Sequence, residues 1–234
     1  MSFRDALQSY LDAPEKHSNA VLFQDENVVI IKDLYPKASR HYLILPKKHT
    51  HVHPMEVFEK YPEFYNIIKP YIQMAIDILV DSLIEEGIIE DDKLKKLQFA
   101  NQYIKAGIHM VPSLRNLHIH VITKDFYSPR LKNKKHYNSF NTNFFCEFKS
   151  LSPKKNIEEL DDTDYSTDSD IEVIEQKNLP KKISVESSLS NDSKIDPHDL
   201  LNSPLICSYC GKAFANKFAA LKSHLAIEYN KHFP

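Results

Sequence analysis

The stretch Asn116-Leu117-His118-Ile119-His120-Val121-Ile122 decides how the rest of this chain is read. It alternates polar with β-branched and other apolar residues, which predicts a strand from His118 to Thr123. Side chains two apart on a strand share a face, so Asn116, His118 and His120 point one way while Leu117, Ile119 and Val121 point into a core. Two imidazoles displayed together suit phosphoryl chemistry. An imidazole nitrogen attacks phosphorus without first losing a proton, and the phosphorus–nitrogen bond is readily hydrolysed afterwards. A pair of surface histidines on a half-exposed strand is the plainer alternative that this heptad alone leaves open.

Working outward, Val21–Gln24 and Val28–Lys32 read as strands around the turn-like Asp25-Glu26-Asn27, His41–Leu45 as a strand ending at Pro46, and Phe144–Phe148 as another. Met55 to about Glu86 is helix-rich, with Pro62 and Pro70 marking breaks or first turns. Ser2 to Leu11 reads as a short amphipathic helix, Ser2 its N-cap and Phe3, Ala6, Leu7 and Tyr10 along one face.

The chain has 234 residues, room for one medium domain and something small. Only three glycines argue against phosphate-cradling loops. The opening MSFRDALQSYL is charged where a signal peptide needs an apolar run, and no long apolar stretch follows, so a soluble intracellular protein without membrane contact is expected. The net charge of −2 hides an asymmetry: nine acidic residues and no Lys or Arg lie between Glu158 and Glu175, which leaves +7 on the remainder. A basic body suits a polyanion such as nucleic acid. From about Leu151 to Asn202 the composition turns to Ser, Asp, Glu, Asn and Lys without sustained apolar period, the signature of a disordered linker. Residues 1–150, 151–202 and 203–234 therefore read as main domain, linker and terminal module. Within the linker, Ile171–Ile174 among acids has the pattern of a strand that adds to the sheet edge of a partner such as SUMO, and Ser166, Thr167 and Ser169 are candidate phosphorylation sites; a solvated tether is the plainer reading.

Three cysteines make no disulfide framework, but Cys207-x2-Cys210-x13-His224 is close to zinc-finger spacing. Two residues compete as fourth ligand. Glu228 lies one helical turn past His224 on the same face, whereas His232, eight residues on, lies about 12 Å along a continuous helix and needs that helix broken. The expected ion is one structural Zn2+ with no open position for water. Phe214, Phe218 and Leu221 supply a small apolar centre, and Lys212, Lys217 and Lys222 supply contacts to a DNA backbone.

The histidine strand resembles the histidine-triad family, whose signature is His-φ-His-φ-His-φ-φ, with Asn116 standing where the first histidine belongs. The longer runs PSLRNLHIHVITKDFYSPRLKNKKHYNSFNT (112–142), VVIIKDLYPKASRHYLILP (28–46) and SFRDALQSYLDAP (2–14) are similar to its aprataxin branch, fungal members included. That resemblance implies an α+β fold: an antiparallel sheet with flanking helices and a small terminal zinc-finger module. It implies DNA 5′-adenylate hydrolysis: His118 attacks the phosphorus of AMP, a 5′-phosphate end leaves, and water frees AMP. It further implies His120 as donor to a nonbridging oxygen, His109 as proton donor to the leaving group, and Lys132 and Ser139 on the DNA phosphate and transition-state charge. Asp33 is implied on the ribose hydroxyls, with Lys37, His41, Ser113 and Asn116 around the AMP moiety. Lys134, Lys135 and His136 are implied on DNA, and Phe3 and Leu7 as a wedge stacking on the terminal base pair. No catalytic metal is implied, since lysine, serine and histidine donors supply what Mg2+ supplies elsewhere. For Asp33 the plain alternative is a turn-forming residue ahead of Tyr35-Pro36. The expected partner is nicked or broken duplex DNA with an adenylated 5′ end, acted on by a monomer, and the expected nuclear location is inferred from that substrate. A general nucleoside phosphoramidase or dinucleotide hydrolase, and a non-catalytic DNA-end-binding protein, are the competing readings.

Overall fold

A computed structural model describes residues 2–153 and 196–233. The acidic tract, Ile171–Ile174 and the candidate phosphorylation sites lie outside the described residues.

Six strands form one antiparallel sheet: β1 (Val21–Gln24), β2 (Val28–Lys32), β3 (His41–Pro46), β4 (Ile104–His109), β5 (Ile119–Thr123) and β6 (Phe145–Glu147), in the order β1-β2-β3-β5-β4-β6. The N-terminal helix is shorter and more broken than its amphipathic pattern predicts. A 3-10 turn at Phe3–Asp5, capped by the Ser2 hydroxyl, precedes α1 (Gln8–Asp12). Between β3 and β4 run α2 (Pro54–Lys60), α3 (Glu63–Glu85) and α4 (Lys93–Tyr103). The caps follow the sequence: His53 accepts from Met55 N with Pro54 in the first turn, and Asp92 accepts from Lys95 N. Pro62 marks the start of α3 as expected, but Pro70 does not break it. Pro70 and Asn66, the residue whose carbonyl loses its helical partner, are both exposed.

The buried residues of α3 (Phe64, Ile68, Tyr71, Ile72, Ala75, Leu79, Val80 and Leu83) recur at helical spacing and cover one face of the sheet, packing on Tyr42, Ile44, Ile119 and Val121. Full burial of such a side chain is worth about 1.5–3 kcal/mol, so this layer dominates the core. The opposite face carries Leu43, His120 and Gly107 in one transverse row, and His41 with Ile122 in the next. That face is covered in part by α5 (Lys134–Asn141), whose Asn133 cap accepts from His136 N.

The C-terminal segment is α6 (Pro197–Leu200), the two-stranded ribbon β7 (Leu205–Ile206) and β8 (Ala213–Ala215), and α7 (Phe218–His232). The expected linker is ordered at its end: α6 falls within 151–202, and Asn138 Nδ2 donates to the main-chain oxygens of Leu201 and Ser203. The terminal module belongs to the same compact unit as the sheet. Leu205, Cys207, Leu221 and Leu225 share a core with Ile122, Phe126, Leu131 and Tyr137, and Tyr127 stacks on Tyr229 at 4.4 Å. None of the helices among the described residues is long and apolar enough to cross a membrane.

Candidate active site

His118 and His120 do share a face, with Leu117, Ile119 and Val121 in the core behind them, but that face is not open: His118 is 6% and His120 5% exposed. The reading of two surface histidines is therefore overturned. Two more histidines join them. His41, at the start of β3, places Nε2 2.9 Å from His120 Nδ1, and the ring of His109, at the end of β4, lies 4.5 Å from that of His120. The phenyl ring of Phe140 meets His41, His109 and His120 at 5.4, 4.7 and 5.2 Å. Phe144 and Phe145 close in on His109. This aromatic wall was not anticipated from sequence. Its only signal was the density of phenylalanine in Phe140-Asn-Thr-Asn-Phe144-Phe145.

Burial disfavours the charged form of all four rings. It pushes His41 down to about 4, against the attraction of Asp33, and lowers His118, while His109 and His120 are pushed well down by burial and by their neighbours. Neutral imidazoles keep a lone pair. For His118 the geometry says which nitrogen has it: Nδ1 lies 2.7 Å from the main-chain oxygen of Asn116, a contact that requires a proton on Nδ1 and leaves the lone pair on Nε2. Nε2 of His109 and of His120 are buried with no protein partner among the described residues, and both are placed to serve a bound group.

Asp33 joins this cluster and also forms the turn. Its Oδ1 accepts from Tyr35 N at 2.8 Å, while Oδ2 lies 3.0 Å from His41 Nδ1. Lys37 N lies 3.3 Å from the same Nδ1, and a neutral ring serves one contact only: it donates to Asp33 or accepts from Lys37. The choice decides whether His41 Nε2 donates to His120 Nδ1. When it does, the proton of His120 sits on the unpartnered Nε2. The Lys37 ammonium is held by the Tyr35 carbonyl, and its pKa is lowered by burial despite nearby Asp33. Asp125, fully buried, accepts from Ser39 N, Ser39 Oγ and Tyr127 N, and so ties the approach to His41 to the end of β5.

Other expected residues lie further out. Ser113 is exposed, on a groove of about 420 Å³ shared with Arg4, His51, His53 and Arg115. Asn116 is buried and bonded to Gln8 rather than open to a ligand on every side. Lys132 is exposed at the head of α5, and Ser139 Oγ donates to the His136 carbonyl. His136 is half-buried, its Nδ1 accepting from Lys132 N. Phe3 is 72% exposed, but Leu7, expected beside it as a wedge, is 6% exposed and packed with Val29, Ile31, Leu43 and Leu45. Leu7, at the head of α1, is a core residue of the sheet's other face. Lys134 donates to the Asn202 carbonyl and to Asn216, and Lys222 to the Leu131 carbonyl, so these two ammonium groups tie the terminal segment to the body rather than lie open to DNA. Lys135, Lys212 and Lys217 are exposed.

In the terminal module Cys207, Cys210 and His224 bring one donor atom each within 4.8 Å of one another, with Cys210 Sγ 3.1 Å from His224 Nε2. Gly211 follows Cys210 at φ 71°, a left-handed turn that returns its N–H to the Cys207 carbonyl. Glu228, 5% exposed, places Oε1 3.4 Å from His224 Nε2. The helix α7 runs unbroken to His232, whose ring stacks on Tyr209 and whose Nδ1 lies 3.1 Å from the Tyr103 hydroxyl. Two thiols and an imidazole fit zinc, and Glu228, which also pairs with Lys231 at 3.0 Å, stands beside His224.

Residues 8–136 match the family model for the C-terminal binding region of the scavenger mRNA decapping enzyme, and residues 141–231 that of the C2HE/C2H2/C2HC zinc-binding finger. The chain is 39% identical to the aprataxin-like protein of Saccharomyces cerevisiae over all of this chain and 99% of that one. It is 32% identical to the aprataxin-like protein of Schizosaccharomyces pombe over 98% of this chain and 82% of that one. Among solved structures, the aprataxin ortholog Hnt3 in complex with DNA superposes with a TM-score of 0.71 at 31% identity, covering 99% of this chain and 96% of that one.

Proposed function

Because this chain belongs to the aprataxin-like family, a histidine-triad domain with a zinc finger, we propose that it is a DNA 5′-adenylate hydrolase. The substrate is nicked or broken duplex DNA bearing a 5′–5′ pyrophosphate-linked AMP. The observation that carries this reading is the buried four-histidine cluster in which the Asn116 carbonyl fixes the His118 tautomer.

His118 Nε2 attacks the AMP phosphorus. A P–N bond forms, the P–O bond to the DNA 5′-phosphate breaks, and the end leaves as a monophosphate. His109, whose buried Nε2 has no protein partner among the described residues, hydrogen-bonds that leaving oxygen, and the departing phosphate takes any proton from water. Ribose hydroxyls donate to Asp33, which frees His41 Nδ1 to accept from Lys37 N. His41 Nε2 then donates to His120, and His120 Nε2–H meets the nonbridging oxygen where charge accumulates. Lys37, Lys132, Ser113 and Ser139 assist with the remaining phosphate charge, and Asn116 frames the AMP side. Water then attacks the same phosphorus, the P–N bond breaks and AMP departs. The chemistry needs no catalytic metal. Zinc, held by Cys207, Cys210, His224 and Glu228, is structural and keeps the terminal module folded. Phe3 stacks on the end base pair, and Lys135, His136, Lys212 and Lys217 contact backbone phosphates. The protein acts as a monomer in the nucleus.

The test is a nicked duplex carrying a 5′-adenylate, incubated with wild type or His118→Ala. Conversion to a 5′-phosphate by wild type alone is expected. Equal turnover by the variant overturns the nucleophile, and tight nick binding without turnover by either makes this a DNA-end-binding protein.

A further inference from the structure

The residue two before the nucleophile is held from outside the sheet. Asn116 Nδ2 donates to Gln8 Oε1 on α1 at 2.8 Å. The glutamine has no freedom to present its other end, because its Nε2 donates to Asp12 Oδ1 at 2.7 Å one helical turn on. A carboxylate only accepts, so Asp12 fixes the direction of the whole row: the acceptor end of Gln8 faces Asn116, and the donor end of Asn116 faces Gln8. Asn116 Oδ1, on the other side of that amide, is buried without a protein partner among the described residues. Gln8 is thus the side chain that holds this amide.

The main chain of Asn116 has no ladder bond to hold it, since β5 begins only at Ile119. The peptide between Asn116 and Leu117 is fixed on one side by Leu117 N donating to the Thr50 carbonyl at 2.6 Å. Its carbonyl receives His118 Nδ1 at 2.7 Å. On the other side Arg115 N donates to the Arg4 carbonyl at 2.9 Å, and the bond from Gln8 adds a hold on the Asn116 side chain itself. We infer that Gln8 is a positioning residue for the nucleophile, acting through Asn116 to hold the carbonyl that orients the His118 ring. α1 then belongs to the catalytic frame. The inference rests on the adenylate-hydrolase reading above.

The experiment measures kcat and KM for Gln8→Ala, Asn116→Ala and the double variant on two substrates: the 5′-adenylated nick, and adenosine 5′-phosphoramidate, which carries no DNA. A nucleophile tilted off line costs roughly 10- to 100-fold in kcat. The expected result is such a loss for Gln8→Ala on both substrates, with KM for the nick within about twofold and the double variant no worse than Asn116→Ala alone. Gln8→Glu alone sets two carboxylates one turn apart. Gln8→Glu combined with Asp12→Asn restores the row: the new amide at position 12 donates to the new carboxylate at position 8, which still accepts from Asn116. That pair is expected to recover most of the rate. A raised KM on the nick with full kcat on the phosphoramidate would show a DNA contact instead and overturn the inference. Multiplying penalties in the double alanine variant would overturn it too. Wild type inactive on both substrates sinks the adenylate reading itself, whereas active wild type with an unaffected Gln8→Ala sinks only the role of Gln8.

Discussion

Gly107 stands directly across the sheet from His120, and the missing side chain is what lets the last strand close over the histidines. A Cβ on Gly107 would lie 2.1 Å from the Cys146 carbonyl oxygen and 2.8 Å from the ring of Phe145. The oxygen is main chain and cannot swing aside, so any larger residue pushes β6 away from β4 and opens the aromatic wall beside His109. Gly107→Ala is expected to cost about 1–3 kcal/mol. Urea denaturation should show a lower midpoint, and a variant as stable as wild type would mean that β6 shifts freely.

His118→Ala is expected to lower adenylate turnover by at least about 10³-fold. Acid quenching of wild type with substrate labelled in the AMP phosphorus should leave label on the protein through an acid-labile P–N bond, and the variant should retain none. Label on the variant would place the nucleophile elsewhere.

Because burial lowers the pKa of the four histidines, the unfolded chain binds protons that the folded one refuses. Their contribution is fully present above about pH 6.5 and is lost as pH falls toward their folded values, which for His41 means about 4. The loss over that window is on the order of 3 kcal/mol for His41 alone. Denaturation midpoints should fall between pH 7 and pH 5, and His41→Asn should flatten the slope. A slope unchanged by that substitution would show that other groups set the pH dependence.

The two apolar residues of the N-terminal segment should separate cleanly. Phe3→Ala is expected to leave thermal stability unchanged and to weaken binding to a duplex end by about 1–3 kcal/mol. Leu7→Ala removes a buried side chain and is expected to cost about 2–5 kcal/mol of stability. Identical melting curves for the two variants would contradict the burial difference between them.

For the metal, Glu228→Ala is expected to lose zinc on dialysis against a weak chelator, while His232→Ala keeps one equivalent, as read by metal analysis. The reverse pattern would exchange the two residues as ligand.

The strands Val21–Gln24, Val28–Lys32 and the histidine strand were legible from alternation and turn residues, because strand period and turn chemistry are local properties. The zinc spacing was legible for the same reason: a knuckle and one helical turn lie within about twenty residues. A helix proline was over-read at Pro70, where facing water rather than position in sequence decided the outcome. Local pattern could not say that the histidine face is buried. That depended on β3, β4 and α5 bringing His41, His109 and Phe140 around it from about 10 to 80 residues away, and on Gly107 admitting β6. Nor could it separate Phe3 from Leu7, or exposed Lys135 from committed Lys134. Sequence determined which side chains with imidazole, thiol and ammonium chemistry this protein has and on which face of a strand or helix each sits. Only tertiary structure decided which of them lose their water, since desolvation depends on what packs opposite.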